Sequence, residues 1–433
     1  MRSVPRLSAV AVLLALLFGF PADSGFFAQS VQPAGITVSE RVNRPEQQHK
    51  PYLILLSFDG LRADYLDRFD LPNFRRVLRR GARARSLRPV FPSLTFPNHY
   101  SLVTGLRPEH HGIVHNVFYD PDRKESYSFR DNKAVTDGSW YGGEPIWVTA
   151  EKQGMIAACF FWPGSEAAIK GVRPTIWNTY NGRIPNQERV ETVLNWLRLP
   201  PERQPHLITA YFSELDSASH EGPLEGPAIP KALRSLDATL GALLDGIESL
   251  PIRDRIYLLL TSDHGMVETS APQTLLVSSL VDTSAVKVGF IGPLASLHVS
   301  GGREEAHAVR DRINAKLKNG RAYLRDEVPE RYAYRDNSRI GDVVIVMDEG
   351  WTVVVSPLSK LRILQSWGQH GWDPDLQSMR AMFAITGPGI RQGVTIPDVE
   401  NVDIYPLMTE LLGLSSPEAI DGRPGHIRQL VME

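Results

Sequence analysis

Three aspartates of the sequence follow runs of apolar residues that have the length of a buried strand. Asp59 comes directly after residues 52–58, Asp263 comes directly after residues 256–262, and Asp216 lies shortly after a third run. Continuous apolar runs of this length are typical of parallel strands that are covered on both faces. Because ligands collect beyond the carboxyl ends of such strands, we expect the three carboxylates to share one site.

Three histidines accompany these acids. His220 lies four residues after Asp216, His264 is adjacent to Asp263, and His370 stands in the sequence Gly-Gln-His-Gly. Taken singly, each histidine is more typical of a structural residue. Together the six side chains offer mixed carboxylate and imidazole ligands, which suit zinc better than calcium or magnesium. Such a metal site with open coordination positions can accept an anionic ester.

Thr95 is the candidate nucleophile. Pro97 suits the first turn of a helix and Gly105 suits its end, so this segment predicts a helix that begins near Thr95. The free amides and the positive end of the dipole at a helix N-terminus stabilise both an alkoxide and a phosphate. Considered alone, Thr95 could instead be a helix cap.

The elements that must position these residues alternate along the chain. The third apolar run covers residues 207–212, further strand patterns cover residues 155–161 and 382–386, and helical spacing covers residues 73–80, 188–198 and 229–246. This alternation predicts an α/β fold with a central, mostly parallel sheet between helices. The pattern changes from about residue 273 to residue 366, where a helical pattern and short strand patterns predict a small inserted α+β cap.

Composition limits the function further. The chain has 433 residues, with 47 Lys and Arg against 49 Asp and Glu and a net charge of -2. This balance argues against general binding of a phosphate backbone, so we expect no stable nucleic-acid complex. The arginine-rich run between Arg75 and Arg88 is interpreted as a solvated helix face. A single cysteine, Cys159, excludes an internal disulfide and a cysteine-based zinc cluster.

Residues 1–28 have the layout of a secretory signal peptide. Arg2 and Arg6 precede an uncharged apolar run over residues 7–20 that is followed by small residues. The run is shorter than the roughly 20 residues needed to span a bilayer. We therefore expect a periplasmic or secreted protein with no transmembrane domain in the mature chain. The polar residues 29–50 are expected to form a linker.

Several motifs occur together and in order over roughly residues 50–425. They are Ser57-Phe58-Asp59-Gly60, residues 91–99, Thr104-Gly105, Gly112-Ile113, residues 161–165, Leu215-Asp216-Ser217, residues 262–266 and His370-Gly371. With these motifs the sequence resembles the nucleotide pyrophosphatase/phosphodiesterase family of the alkaline phosphatase superfamily, in particular its bacterial single-domain members. The resemblance implies an alkaline-phosphatase-like catalytic domain over residues 51–430.

The resemblance also implies two zinc ions per chain. The ligand sets of the family correspond here to Asp59, Thr95, Asp263 and His264 for one ion, and to Asp216, His220 and His370 for the other. Thr95 would attack phosphorus in line and form a nucleotidyl-threonine intermediate, which water then hydrolyses.

Three residues match substrate contacts of the family. Asn116 corresponds to a catalytic asparagine that donates to a non-bridging phosphate oxygen, and Phe96 and Tyr180 correspond to two aromatic residues that enclose a base. The alternative interpretations are a turn residue for Asn116 and core packing for the aromatic pair. Five other histidines match no family ligand and are interpreted as structural: His99, His110, His111, His115 and His206.

The expected function is therefore the release of nucleoside 5′-monophosphates from nucleoside 5′-triphosphates, dinucleotides or nucleotide sugars. The lack of an arginine directly after Thr95 favours a diester over a dianionic monoester.

One alternative function is that of a phospholipid or choline-phosphodiester hydrolase, which would need a cation-binding aromatic cage. Another is a non-catalytic secreted metal-binding protein, which should lack a ligand or the nucleophile. A sulfatase would need Cys or Ser at position 95. The sequence leaves the oligomeric state open.

Overall fold

The computed structural model describes residues 35–269, 273–356, 368–417 and 419–431. The predicted signal peptide, residues 1–28, lies outside these ranges. Within them, none of the helices combines the length and the apolar character that a membrane crossing requires.

The elements are named in chain order. The strands are β1 (Ile36–Val38), β2 (Tyr52–Phe58), β3 (Ala82–Ala84), β4 (Leu87–Arg88), β5 (Val117–Asp120), β6 (Glu125–Ser128), β7 (Ala157–Phe160), β8 (Ile176–Asn178), β9 (Leu207–Phe212), β10 (Ile256–Thr261), β11 (Val267–Glu268), β12 (Thr274–Leu276), β13 (Val286–Phe290), β14 (Leu294–Val299), β15 (Gly320–Leu324), β16 (Val343–Met347), β17 (Thr352–Val354), β18 (Gly368–Gln369), β19 (Phe383–Thr386), β20 (Val394–Ile396) and β21 (Val399–Glu400). The helices are α1 (Tyr65–Arg68), α2 (Pro72–Arg80), α3 (Thr95–Thr104), α4 (Pro108–His111), α5 (Asn132–Thr136), α6 (Ile146–Lys152), α7 (Asn186–Trp196), α8 (Glu214–Glu221), α9 (Ala228–Glu248), α10 (Val277–Leu280), α11 (Gly302–Lys316) and α12 (Ile404–Leu412).

The central sheet has the strand order β1-β8-β7-β9-β2-β10-β19-β3-β20. Neighbouring strands from β8 to β10 are parallel, whereas β19 runs antiparallel to both β10 and β3. Leu53 and Leu55 of β2 pack into the core on one face, and Ile54 and Leu56 pack into the core on the other. A strand covered on both faces needs apolar residues at every position, which explains the continuous runs. The predicted α/β class is confirmed.

The segment predicted as a linker differs from that expectation, because its described part belongs to the sheet. Ile36 pairs with Asn178, so β1 forms the antiparallel edge of the sheet beside β8. Asn43 is buried, and its amide nitrogen donates to the Gln204 carbonyl at 2.6 Å. Strand pairing and the hydrogen bonds of polar residues hold this segment, together with packing of Ile36 against the core, and a search for apolar periodicity does not detect the hydrogen bonds.

A second sheet lies within the segment predicted as a cap. Its strands follow the order β13-β14-β16-β15 with antiparallel pairing. Helix α11 packs on it through Val309 and Ile313, which share a separate hydrophobic core with Leu297 and Ile345. The cap boundaries remain a prediction, and the predicted part over residues 357–366 lies outside the described residues.

Candidate active site

The three aspartates lie where three adjacent strands end. Asp59 directly follows β2, Asp263 follows β10 by two residues, and Asp216 lies in the first turn of α8, just after β9. Strand β2 stands between β9 and β10 in the sheet. The amide of Gly60 donates to Asp263 Oδ1 at 3.2 Å and ties two of these strand ends together. The structure thus brings the three carboxylates to one edge of the sheet.

A first group of side chains surrounds His264. Its Nε2 atom lies 3.0 Å from Asp263 Oδ2 and 3.5 Å from Asp59 Oδ1. Thr95 Oγ1 lies 3.3 Å from the same nitrogen. Asp59, Asp263 and His264 are fully buried. The four residues predicted as one ligand set therefore converge on one point.

A second group adjoins the first. Asp216, His220 and His370 offer ligand atoms that all lie within 4.8 Å of one another. Asp216 Oδ1 is 3.3 Å from His220 Nε2 and 3.7 Å from His370 Nε2. The rings of His264 and His370 stack with centroids 3.5 Å apart, so the two groups share a wall. The three residues predicted as the other ligand set are also brought together.

The histidine tautomers suit metal ligation. His264 Nδ1 donates to the Gly265 carbonyl at 2.9 Å, and His220 Nδ1 donates to the Gly368 carbonyl at 2.7 Å. His370 Nδ1 donates to the Ser93 carbonyl at 3.0 Å. Each bond fixes the proton on Nδ1 and leaves the Nε2 lone pair facing the carboxylates. Histidines that bind metals are commonly oriented in this way by their other nitrogen.

The carboxylates also fit a bound cation. Asp59 Oδ1, Asp216 Oδ1 and Asp263 Oδ2 are buried without a hydrogen-bond partner among the described residues. Buried polar atoms nearly always have such a partner, so we expect these oxygens to contact a bound group. Burial raises the pKa of Asp59 well above its usual range, and the Asp263 and Asp216 carboxylates raise it further. A cation between the groups would relieve this repulsion, and the donor set is compatible with metal binding.

Thr95 is the first residue of α3. The N-cap position is Leu94, and no side chain caps the helix. The alternative interpretation of Thr95 as a helix cap is therefore wrong. Its hydroxyl faces His264 instead, at the end of the helix where backbone amides have no partner within the helix.

Asn116 has its amide oriented by the backbone. Its Oδ1 atom accepts the Phe96 N–H at 2.9 Å. A backbone amide can only donate, so the oxygen of the side-chain amide must face Phe96. The NH2 group is then left to donate toward the adjacent cavity, which Asn116 lines.

A cavity of about 300 Å³ opens in front of both groups. Thr95, Asn116, Phe96 and Tyr180 all line it. Phe96 packs against Phe129 with ring centroids 5.6 Å apart, whereas Tyr180 is 49% exposed. The structure therefore brings all three residues predicted to contact substrate to the same cavity as Thr95, and core packing does not account for Tyr180.

Sequence reasoning missed two residues that contact the aspartates. The Tyr211 hydroxyl donates to Asp59 Oδ2, and His99 Nδ1 lies 3.3 Å from Asp263 Oδ2. The sequence predicts a purely structural role for His99. Its Nδ1 atom donates to the Thr95 carbonyl at 2.9 Å, and its other ring nitrogen lies 2.7 Å from Ser57 Oγ, so His99 is held beside the Asp263 carboxylate by other partners. The sequence feature that could have identified Tyr211 is its hydroxyl, which lies near the end of an otherwise apolar predicted strand.

The other histidines interpreted as structural do not line the cavity. His111 contacts Ser101 Oγ at 2.9 Å, and His115 stacks on Phe290 with centroids 4.4 Å apart. His110 contacts Asp421 at 2.8 Å, and His206 stacks on Tyr52 with centroids 4.2 Å apart.

Comparisons with known proteins bear on this geometry. Human ectonucleotide pyrophosphatase/phosphodiesterase family member 1 is 36% identical over 406 residues, which cover 90% of this chain and 43% of the human protein. Venom phosphodiesterase 2 of Crotalus adamanteus is 36% identical over 389 residues, which cover 88% of this chain and 47% of that protein. The chain thus spans about half the length of these relatives.

Solved structures share the fold. Murine ectonucleotide pyrophosphatase/phosphodiesterase 5 superposes with a TM-score of 0.81 at 28% identity, and the match covers 88% of this chain and 100% of that chain. An inactive variant of the same murine protein, solved in complex with AMP, gives a TM-score of 0.82. The expected alkaline-phosphatase-like fold is thereby confirmed. The sequence profile for type I phosphodiesterase / nucleotide pyrophosphatase matches residues 53–373. On this match, the relatives and the shared fold, the chain belongs to the type I phosphodiesterase / nucleotide pyrophosphatase family.

Proposed function

We propose that this protein is a two-zinc phosphodiesterase and pyrophosphatase that cleaves nucleotide phosphodiester and pyrophosphate bonds and releases nucleoside 5′-monophosphates. One observation carries the proposal. The Thr95 hydroxyl, at the start of α3, faces two adjoining groups of carboxylates and imidazoles at the mouth of one cavity. Family membership and the murine structure with AMP support it.

Seven residues would hold the two ions: Asp59, Thr95, Asp263 and His264 for one, and Asp216, His220 and His370 for the other. When bound, zinc lowers the pKa of a coordinated hydroxyl and stabilises negative charge on a leaving oxygen. Tyr211 would keep the Asp59 carboxylate in place through its hydrogen bond.

Thr95 is the proposed nucleophile. Its oxygen attacks phosphorus and forms a new O–P bond, while the bond from phosphorus to the leaving oxygen breaks. The backbone amides at the start of α3 favour negative charge at this position. Water then attacks the nucleotidyl-threonine, which returns the Thr95 hydroxyl and releases the nucleoside 5′-monophosphate.

Asn116, Phe96 and Tyr180 are the proposed substrate-binding residues. The Asn116 NH2 group would donate to a non-bridging oxygen, and a neutral donor suits the single negative charge of a diester. Phe96 and Tyr180 line the same cavity and would flank the base. Nucleoside 5′-triphosphates, dinucleotides and nucleotide sugars all present this combination of a base and an esterified 5′-phosphate.

Domain organisation and location form part of the proposal. One catalytic domain would span residues 51–430 with a cap at about residues 273–366, after a signal peptide over residues 1–28. The names of the relatives, venom phosphodiesterases and ectonucleotide pyrophosphatases, support an exported protein.

The decisive experiment compares the turnover of two chromogenic substrates by the purified protein and measures its metal content. We expect about two zinc ions per chain and faster turnover of p-nitrophenyl thymidine 5′-phosphate than of p-nitrophenyl phosphate. Thr95→Ala should abolish turnover, whereas Thr95→Ser should retain part of it because the hydroxyl is kept. Preference for the monoester, or full activity of Thr95→Ala, would overturn the proposal. A preference for choline phosphodiesters would favour the lipid alternative.

A further inference from the structure

The cavity in front of Thr95 has an uneven distribution of charge. The acidic residues Asp59, Glu166 and Asp216 line it, and one Glu166 oxygen is buried without a hydrogen-bond partner among the described residues. Arg130 is the sole lysine or arginine among the lining residues. An anionic substrate that extends beyond the two ligand groups therefore meets the Glu166 carboxylate and neutral side chains, and Arg130 is the cationic side chain that can attract it.

Arg130 is placed so that its charge can be used by a ligand. It is exposed, and its guanidinium carbon lies 5.1 Å from the centre of the Phe129 ring. No carboxylate lies within ion-pair distance of it in the part of the chain that the structure describes. Arg123, on the same hairpin, is different, because it pairs with Asp137 at 2.9 Å and lies over Trp140. An arginine without a carboxylate partner at a cavity mouth gives up no ion pair when it binds a phosphate.

Arg130 also shares a cavity with one of the two ligand groups. Asp216, His220 and His370 line the cavity together with Arg130, whereas His264 and Asp263 do not line it. His220 belongs to the group with Asp216 and His370, whereas Thr95 lies with His264.

In-line attack determines the direction in which the leaving group departs. The leaving oxygen must depart from the face of phosphorus opposite the nucleophile. With Thr95 beside His264, the leaving group departs toward Asp216, His220 and His370, which line the same cavity as Arg130.

We propose that Arg130 binds the first phosphate of the leaving group and makes this site selective for pyrophosphate-linked nucleotides over diesters with an uncharged leaving group. The inference rests on the proposed function, since it assumes the attack by Thr95. A guanidinium can bind two phosphate oxygens at once, and this contact would offset the repulsion from Asp216 and Glu166.

The test compares ATP, whose leaving group is pyrophosphate, with p-nitrophenyl thymidine 5′-phosphate. Arg130→Gln should lower kcat/KM for ATP on the order of 10-fold to 100-fold more than for the aryl ester, because one charge-assisted contact is lost. Arg130→Lys should recover part of the selectivity. Lys124→Gln removes a charge from the turn of the same hairpin, away from the cavity, and should leave the ratio of the two values unchanged.

Equal losses for both substrates, or no loss with Arg130→Gln, would overturn the inference while leaving the proposed function intact. A wild-type protein that hydrolyses neither substrate would instead contradict the proposed function. Calorimetry with α,β-methylene-ATP and with AMP decides the binding role without turnover. Arg130→Gln should weaken binding of the analogue more than binding of AMP, and equal weakening would again contradict the assignment.

Discussion

At the scale of single residues, Asn116 shows how one backbone contact determines what a side chain offers a substrate. The Phe96 N–H occupies the amide oxygen at 2.9 Å, so the nitrogen faces the cavity. An aspartate at the same position would keep the acceptor for Phe96 but would replace the donor with a negative charge.

We therefore expect Asn116→Asp to keep the fold and to lower kcat/KM for nucleotide diesters by roughly 100-fold to 1000-fold, the usual effect of removing one transition-state donor. Asn116→Ala should be no worse than Asn116→Asp, because alanine removes the donor without repelling the phosphate. Steady-state kinetics with p-nitrophenyl thymidine 5′-phosphate and thermal unfolding measure both effects. An Asp variant more active than the Ala variant would contradict the role of Asn116 as a donor.

The residue types at the site were predictable from the sequence, but some of their contacts were not. Asp59, Asp216 and Asp263 were found because each follows an apolar run. The contact between Tyr211 and Asp59 depends on register, since β2 and β9 pair Ser57 with Tyr211 and so place the tyrosine two residues before the acid. The residue types alone do not determine the register in which β2 and β9 pair.

At the scale of elements, the turn after β2 holds two of the strand ends close together. Gly60 has φ +72°, and a Cβ atom there would lie 3.3 Å from the Asp216 Cα. A side chain at this position would strain the backbone and press on the segment that carries Asp216.

Gly60→Ala should reduce the free energy of unfolding by about 1 to 2 kcal/mol, because alanine disfavours positive φ, and should also reduce zinc content and kcat/KM. Gly171 is the matched control, since it has φ +78° and no atom within 4 Å of the added Cβ. Gly171→Ala should lose similar stability while keeping full zinc content. Urea unfolding and metal analysis separate the two effects, and loss of zinc in both variants would show that the strain is not local.

Long elements were predictable within a few residues, and short or isolated ones were not. The helical pattern over residues 188–198 corresponds to α7 at Asn186–Trp196, shifted because the helix begins directly after Pro185. The strand predicted over residues 382–386 exists as β19, but its antiparallel direction does not follow from apolarity. Strand β1 escaped prediction because it has three residues and an exposed pattern.

At the scale of the whole molecule, buried histidines couple stability to pH. His206 is fully buried, and its Nδ1 atom lies 3.0 Å from the Pro51 carbonyl. Burial lowers its pKa from 6.5 to about 4, and Arg255 contributes to the same shift. The folded state thus favours the neutral imidazole. This contribution to stability is present above about pH 6.5 and is lost as the pH falls toward 4.

Between pH 7 and pH 5, the protonation of His206 in the unfolded chain should remove about 2 kcal/mol from the free energy of unfolding. His206→Phe keeps a ring against Tyr52, and it should flatten the pH dependence by that amount, even if it lowers the stability at pH 7. Urea unfolding at the two pH values measures the difference. His49→Phe, at an exposed position, should leave the slope unchanged. An unaltered slope in His206→Phe would refute the assignment.

The central position of β2 also sets an order of events in time. Leu53 pairs with Leu207 on β9, and Tyr52 pairs with Ile256 on β10, so both neighbours of β2 are synthesised long after it. Contacts between residues so far apart in the chain form slowly, because loop closure costs entropy before the pairing compensates for it. The strand that leads to Asp59 therefore waits without a neighbour until β9 has been synthesised at residues 207–212 of 433, and β10 and His370 arrive later still. The reaction centre is consequently one of the last parts of the molecule to be assembled.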